Sequence, residues 1–137
     1  MTIIIEGEPV AQGRPRFTRQ GHAYDPAKSR EYKRLIALKA QAAMRGKEIF
    51  TKPRPLCCKI RIFRRIPKSF AGRKLFEAKN NLQRPVTRPD ADNYVKGILD
   101  AMNGIVYEDD ALICRLVVEK FYTDKQPRIV VIVEEIQ

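Results

Sequence analysis

Arg88-Pro-Asp-Ala-Asp-Asn-Tyr-Val-Lys-Gly-Ile-Leu-Asp-Ala-Met-Asn-Gly104 reads as a helix entered through two carboxylates. Val95, Ile98, Leu99 and Met102 recur at helical spacing, Asp92 stands before them, and Gly104 closes the pattern. Outward from this helix the periodicity changes to two. Leu56, Cys58, Ile60 and Ile62 alternate with Cys57, Lys59, Arg61, Phe63 and Arg65, as in a strand with a core face and a basic face. Leu112–Tyr122 alternates as well, with Leu112, Cys114, Leu116 and Val118 on one side. Ile129–Val133 is apolar without a break and predicts a more central strand. Thr2–Pro9, rich in isoleucine, predicts the first strand. Asp25-Pro26 signals a second helix over residues 26–46, with Asp25 as N-cap and Tyr32, Leu35, Ile36, Ala40 and Ala43 on one face. Residues 66–87, punctuated by Pro67, Gly72, Asn80, Asn81 and Pro85, predict a short helix within a long connection. Strands at both ends with two main helices between them give an α+β (mixed α/β) fold, a single small domain over residues 1–137.

The charge is large and uneven. The net formal charge is +11. Residues 52–74 hold nine Lys/Arg and no acid, and residues 14–39 add a second basic group. Such clustering is the electrostatic footprint of a nucleic-acid binder, and its bland alternative is a solvated surface. No apolar run approaches the ~20 residues of a membrane span. The N-terminus has no signal-peptide pattern. Cys57, Cys58 and Cys114 are odd in number and lack CxxC spacing, which favours a reducing cytoplasm and thiols packed in the core. His22 is the only histidine, which argues against His-based zinc and against a Ser–His–Asp triad. No nucleotide-binding glycine motif is present.

Within this basic chain, residues 90–110 concentrate six acids (Asp90, Asp92, Asp100, Glu108, Asp109, Asp110) around one base, Lys96. Carboxylates placed where phosphates bind are repulsive unless they hold a divalent cation. Asp90 and Asp92, two apart, share a side in an extended segment, and Lys96 follows about one turn later. Mg²⁺ takes a few carboxylate oxygens and keeps several waters, so this pair plus Asp109 or Asp110 from a neighbouring strand is a sufficient set. Lys96 would stabilise charge on the scissile phosphate or orient the water. Each feature also has a structural reading. Asp92 is a good N-cap, Lys96 and Asp100 have ion-pair spacing, and Asp109-Asp110 suits a turn.

Taken together, these residues resemble the RusA family of Holliday junction resolvases, common in bacterial and prophage genomes. The resemblance runs from Gly13-Arg-Pro-Arg-Phe17, through Tyr24-Asp-Pro26 and Arg30-Glu-Tyr32, to Lys120-Phe-Tyr122. It is strongest in Arg88–Gly104 and in Tyr107-Glu-Asp-Asp110. It implies a small mixed sheet, a homodimer, and a Mg²⁺-dependent endonuclease acting on four-way or branched DNA, with Mn²⁺ as a substitute ion. It assigns the metal to Asp90, Asp92 and Asp110 and the catalytic lysine to Lys96, with Asn93 and Asp109 beside them. It departs at Ala111-Leu112, where the family usually has a small residue and Gln. Expected DNA contacts are Arg14, Arg16, Arg61, Arg64, Arg65, Lys68, Arg73, Lys74 and Arg88. Phe17, Phe63 or Phe70 would serve as a wedge at the branch point. The homodimer matches the two-fold symmetry of a junction, which needs two symmetric cuts. No membrane and no nucleotide cofactor are expected. The rivals are a non-catalytic branched-DNA-binding protein and a ribonucleoprotein assembly factor.

Overall fold

The computed structural model describes residues 1–12 and 26–137. The chain runs β1 (Thr2–Glu6), α1 (Pro26–Ala43), β2 (Leu56–Arg65), α2 (Gly72–Lys79), α3 (Ala91–Met102), β3 (Ile113–Thr123) and β4 (Arg128–Glu135). A single 3₁₀ turn, Asp110–Leu112, leads into β3. The four strands form one sheet in the order β1-β4-β2-β3. The β1–β4 and β4–β2 pairs are antiparallel, and β2–β3 is parallel, so the sheet is mixed. β4 is interior, as its unbroken apolar run predicts. The parallel pair requires a crossover, and α2 and α3 supply it. No helix among the described residues is long and apolar enough to cross a membrane.

The two periodicities meet in one core. Ile3, Ile5, Leu56, Cys58, Ile60, Ile62, Ile129, Val131 and Val133 line the inner face of the sheet. Ile36 and Ala40 from α1, and Tyr94, Val95, Ile98 and Met102 from α3, close over them. Ile98 is 1% exposed, and burying a side chain of that size contributes roughly 1.5–3 kcal/mol. Burial pushes the Cys58 thiol up to about 12, so it stays protonated and packs as a small apolar group.

Several elements differ from the expected bounds. β1 stops at Glu6 because Gly7 takes φ +108°, and Gly7 N–H bonds to the carbonyl of Pro127. α1 ends at Ala43, and Met44–Gly46 form a turn. α3 begins two residues early, with Asp90 rather than Asp92 at its N-cap, and Asp90 makes no side-chain capping bond. Cys114 is exposed, not packed in the core, because β3 is an edge strand and Leu116 and Val117 are exposed beside it. Asp25, His22 and the Gly13–Arg19 loop, with Arg14, Arg16 and Phe17, lie outside the described residues.

Strand alternation sends Cys57, Lys59, Arg61, Phe63 and Arg65 to the outer face of the sheet, away from α3. There Phe63 stacks on Phe121 at 5.1 Å between ring centres. The Arg128 guanidinium lies over Phe63 at 4.1 Å, and that of Arg84 over Phe121 at 4.4 Å. Lys59 and Arg65 pair with Glu134 and Glu8.

Candidate active site

α3 lies along β3, and the space between them is a groove of about 460 Å³. Val95, Leu99, Leu116 and Val118 give it an apolar floor, and Asp92, Lys96, Asp100 and Asp110 line it as well. Helical geometry explains the row on α3. Asp92, Lys96 and Asp100 are four apart, so they stack on successive turns of one face. The sequence offered Lys96–Asp100 as an ion pair. In the fold Asp100 pairs instead with Lys33 of α1 at 3.6 Å.

The start of α3 is held from below by β2 and β3. Lys120 Nζ donates to the carbonyls of Thr87 (2.9 Å) and Pro89 (3.1 Å). Arg64, adjacent on β2, donates to the carbonyl and hydroxyl of Thr87 at 3.4 and 3.3 Å. These bonds fix the turn that delivers Asp90. Burial, followed by the nearby Arg64 charge, lowers the Lys120 pKa, and Asp90 opposes both. Asp90 and Asp92 are exposed, at the positive end of the helix dipole. Asn93 follows them, and its carbonyl accepts from Gln12 N–H at 2.9 Å. Sequence reasoning placed Lys120 in the family pattern but gave it no role. Only the β2–β3 register shows it underneath the acids.

The second acidic group sits at the other end of α3. Gly104 N–H bonds to the Tyr107 carbonyl at 2.8 Å, and the Tyr107 hydroxyl donates to the Leu99 carbonyl at 2.7 Å. Tyr107 is fully buried, which drives its phenol far above its ordinary pKa and keeps it a donor. Glu108 is structural: its carboxylate accepts the Lys52 backbone N–H at 2.9 Å. Asn103, the C-cap of α3, accepts the Asp110 N–H on its side chain at 2.9 Å. A side-chain hydrogen bond with Asp109 raises the Asp110 carboxyl pKa, with burial and the charges of Asp109 and Asp100 adding to it. A cation bound there would favour the ionised carboxyl and oppose that shift. Leu112, where the family usually has Gln, is buried in the core.

The site therefore has two ends. Asp110 is tied to the C-cap of α3 and Asp90 is its N-cap, and twelve helical residues between them span about 18 Å. β3 gives the same answer: from Ile113 to Lys120 is about 23 Å of strand. Two carboxylates sharing an ion bond it at about 2.1 Å each, so Asp90 and Asp110 of one chain do not share one. No three His, Cys, Asp or Glu among the described residues gather around one point. The donor set is nonetheless of the right kind. Exposed carboxylate oxygens, with no histidine among the described residues, suit a hard, partly hydrated cation such as Mg²⁺.

Basic side chains surround the Asp90 end unevenly. Arg64 lies below it and Arg88 is exposed just before it. Lys68, Arg73 and Lys74 belong to α2 and its approach. Arg61 and Arg65 are on the opposite face of the sheet. Phe70 packs edge-on against Tyr122 at 5.4 Å, and Phe63 is in the outer stack.

Comparison with known proteins agrees with this geometry. A family model described as "Endodeoxyribonuclease RusA" matches residues 6–134. A Bacillus subtilis (strain 168) protein, "Uncharacterized protein YqaN", is 43% identical over 139 residues, covering 98% of this chain and 95% of its own. Carboxylates at both ends of α3, a lysine between them, and a match over nearly the whole chain place this protein in the RusA family of endodeoxyribonucleases.

Proposed function

We propose that this protein is a Mg²⁺-dependent endodeoxyribonuclease that resolves four-way DNA junctions by paired, symmetric cuts, as a homodimer, in recombination and repair in the cytoplasm. The observation that carries the reading is the groove in which Asp92, Lys96 and Asp110 line one surface, with Asp90 at its end, in a chain of this family. Asp90 and Asp92 would hold the ion together with an Asp110 carboxylate, and Mn²⁺ would substitute for Mg²⁺. A bound Mg²⁺ would polarise the scissile phosphate and acidify a coordinated water. Lys96, exposed between the acids, would place its ammonium on the phosphate oxygens as negative charge develops. Asn93 and Asp109 would orient their neighbouring carboxylates. Arg64 and Arg88, with Lys68, Arg73 and Lys74, would track the backbone without reading sequence.

The same geometry supports a homodimer. One chain leaves its carboxylates about 18 Å apart along α3. Two copies related by a two-fold axis across the groove bring the Asp90 end of one to the Asp110 end of the other, and do so twice. The apolar floor and the exposed edge of β3, with Leu116, are the surface such a contact would cover. Two sites result, one for each strand to be cut.

The test is cleavage of an immobile synthetic four-way junction beside linear duplex of the same sequence. Paired nicks in the junction with Mg²⁺, absent with EDTA, are the expected result. Tight junction binding with no nick under any divalent metal would leave only a DNA-binding protein.

Lys120 gives a second expectation. In Lys120→Met the Thr87 and Pro89 carbonyls lose their donor, and the turn carrying Asp90 loosens. Cleavage falls roughly 10- to 100-fold, the usual cost of removing a group that orients a metal ligand. Junction affinity and the circular dichroism spectrum stay near wild type, and Lys120→Arg recovers part of the rate. An unaltered rate in Lys120→Met would remove this role.

A further inference from the structure

Residues 67–88 leave the sheet after β2 and return at Asp90. α2 within them is firmly seated. Leu75 and Ala78 pack with Phe70 on Ile66 and Tyr122, a small second core, and Lys74 Nζ lies 4.3 Å over the Phe70 ring. Its other side turns apolar groups outward. Phe76 is 60% exposed, and Leu82 and Val86, on the returning chain, are 71% and 92% exposed. A single exposed apolar residue is ordinary, but these are three of the seven large exposed hydrophobics found among the described residues. They share the excursion with six Lys/Arg, of which Arg73 pairs with Glu77, its one acid, at 3.0 Å and Arg84 with Glu119 of β3 at 3.1 Å. Aromatic and apolar groups set among unneutralised cations are complementary to unstacked bases with flanking phosphates. The returning chain is pinned at Thr87 and Pro89 by Lys120, so the segment that leaves α2 ends beside Asp90.

We propose that α2 and its return loop form a branch-point wedge: Phe76 stacks on a base unpaired at the crossover of the junction, and Lys68 and Lys79 hold the adjacent phosphates. Leu82 and Val86 widen the apolar contact. Of the three candidates from sequence, Phe63 and Phe70 are already occupied by Phe121 and by Tyr122, and Phe17 lies outside the described residues. Phe76 escapes sequence reasoning because a phenylalanine in a short amphipathic helix reads as core. The wedge rests on the junction-nuclease reading and adds to it the source of substrate preference. An opened branch exposes the phosphates to Asp90 and Asp92, whereas linear duplex offers no unstacked base.

The experiment uses full-length protein and four-way junctions with 2-aminopurine at the branch point, in EDTA. Wild-type protein should raise the fluorescence on binding. Phe76→Ala should abolish most of that rise and lower the preference for junction over linear duplex by about tenfold or more, the range of a lost base–aromatic stack. Phe76→Trp should restore both. In Mg²⁺, Phe76→Ala should cut intact junctions slowly and junctions with a mismatched, already opened branch near the wild-type rate. Phe76 is exposed, so the variant should fold. Wild-type fluorescence and preference in Phe76→Ala would overturn the wedge and leave the nuclease reading standing. The same outcome with weaker self-association in sedimentation would assign the surface to a second copy, which also overturns it. If the wild-type protein neither binds nor cuts junctions, both readings fail together.

Discussion

Asp92→Asn should bind four-way junctions at least as tightly as the wild type and cut them on the order of 10³-fold more slowly. The substitution keeps the size of the side chain and removes the negative oxygen that a hard cation requires. A bound cation contributes several kcal/mol of charge stabilisation at a phosphoryl centre, and about 4 kcal/mol corresponds to about 10³ in rate. Asp92 is exposed in the first turn of α3, so the fold does not depend on its charge. Binding should not weaken, because one charge that repels phosphate has gone. The measurement is single-turnover cleavage beside a gel-shift titration at the same salt concentration. Equal rates for variant and wild type would reduce Asp92 to a residue that merely favours the helix start.

Mixing two inactive variants should restore activity. Asp92→Asn and Asp110→Asn homodimers should each be inactive. If each site takes Asp92 from one chain and Asp110 from the other, a heterodimer holds one site with both substitutions and one site with neither. Random exchange makes about half of the dimers heterodimers, so about a quarter of all sites are intact. The products carry the signature. On a plasmid with an extruded cruciform, wild-type dimers cut both strands and linearise it, whereas a heterodimer with one site should only nick it. If Asp92 and Asp110 of the same chain formed each site, every site would carry one substitution and no activity would return. The groove geometry favours the first outcome, because α3 holds Asp92 and the Asp110 end roughly 15 Å or more apart.

Much of this protein is determined by local pattern. The period-two runs at 56–65 and 112–122 form β2 and β3, the unbroken run at 129–133 lies inside an interior strand, and the apolar spacing from Val95 to Met102 makes α3. These were legible because core burial imposes a period on each element, and that period is written in consecutive residues. The carboxylates and Lys96 were legible too, since they follow one another on a single helix. What the pattern does not contain is distance between elements. Lys120 is thirty residues from Asp90, and only the parallel pairing of β2 and β3 sets Lys120 and Arg64 under the turn that carries it. Arg61 and Arg65 stand in sequence with Arg64 as expected DNA contacts, yet the same pairing turns them to the other face of the sheet, away from the acids. Cys114 looks like core until β3 proves to be an edge strand. Asp90, Asp92 and Asp110 look like one ligand set because sequence has no measure of the rigid helix between them. The sequence alone thus determined the elements, the clustering of the acids and the family. Tertiary structure decided which face each charge serves, and how far apart the two ends of the site lie, because sheet register and helix length, not chain order, set those distances.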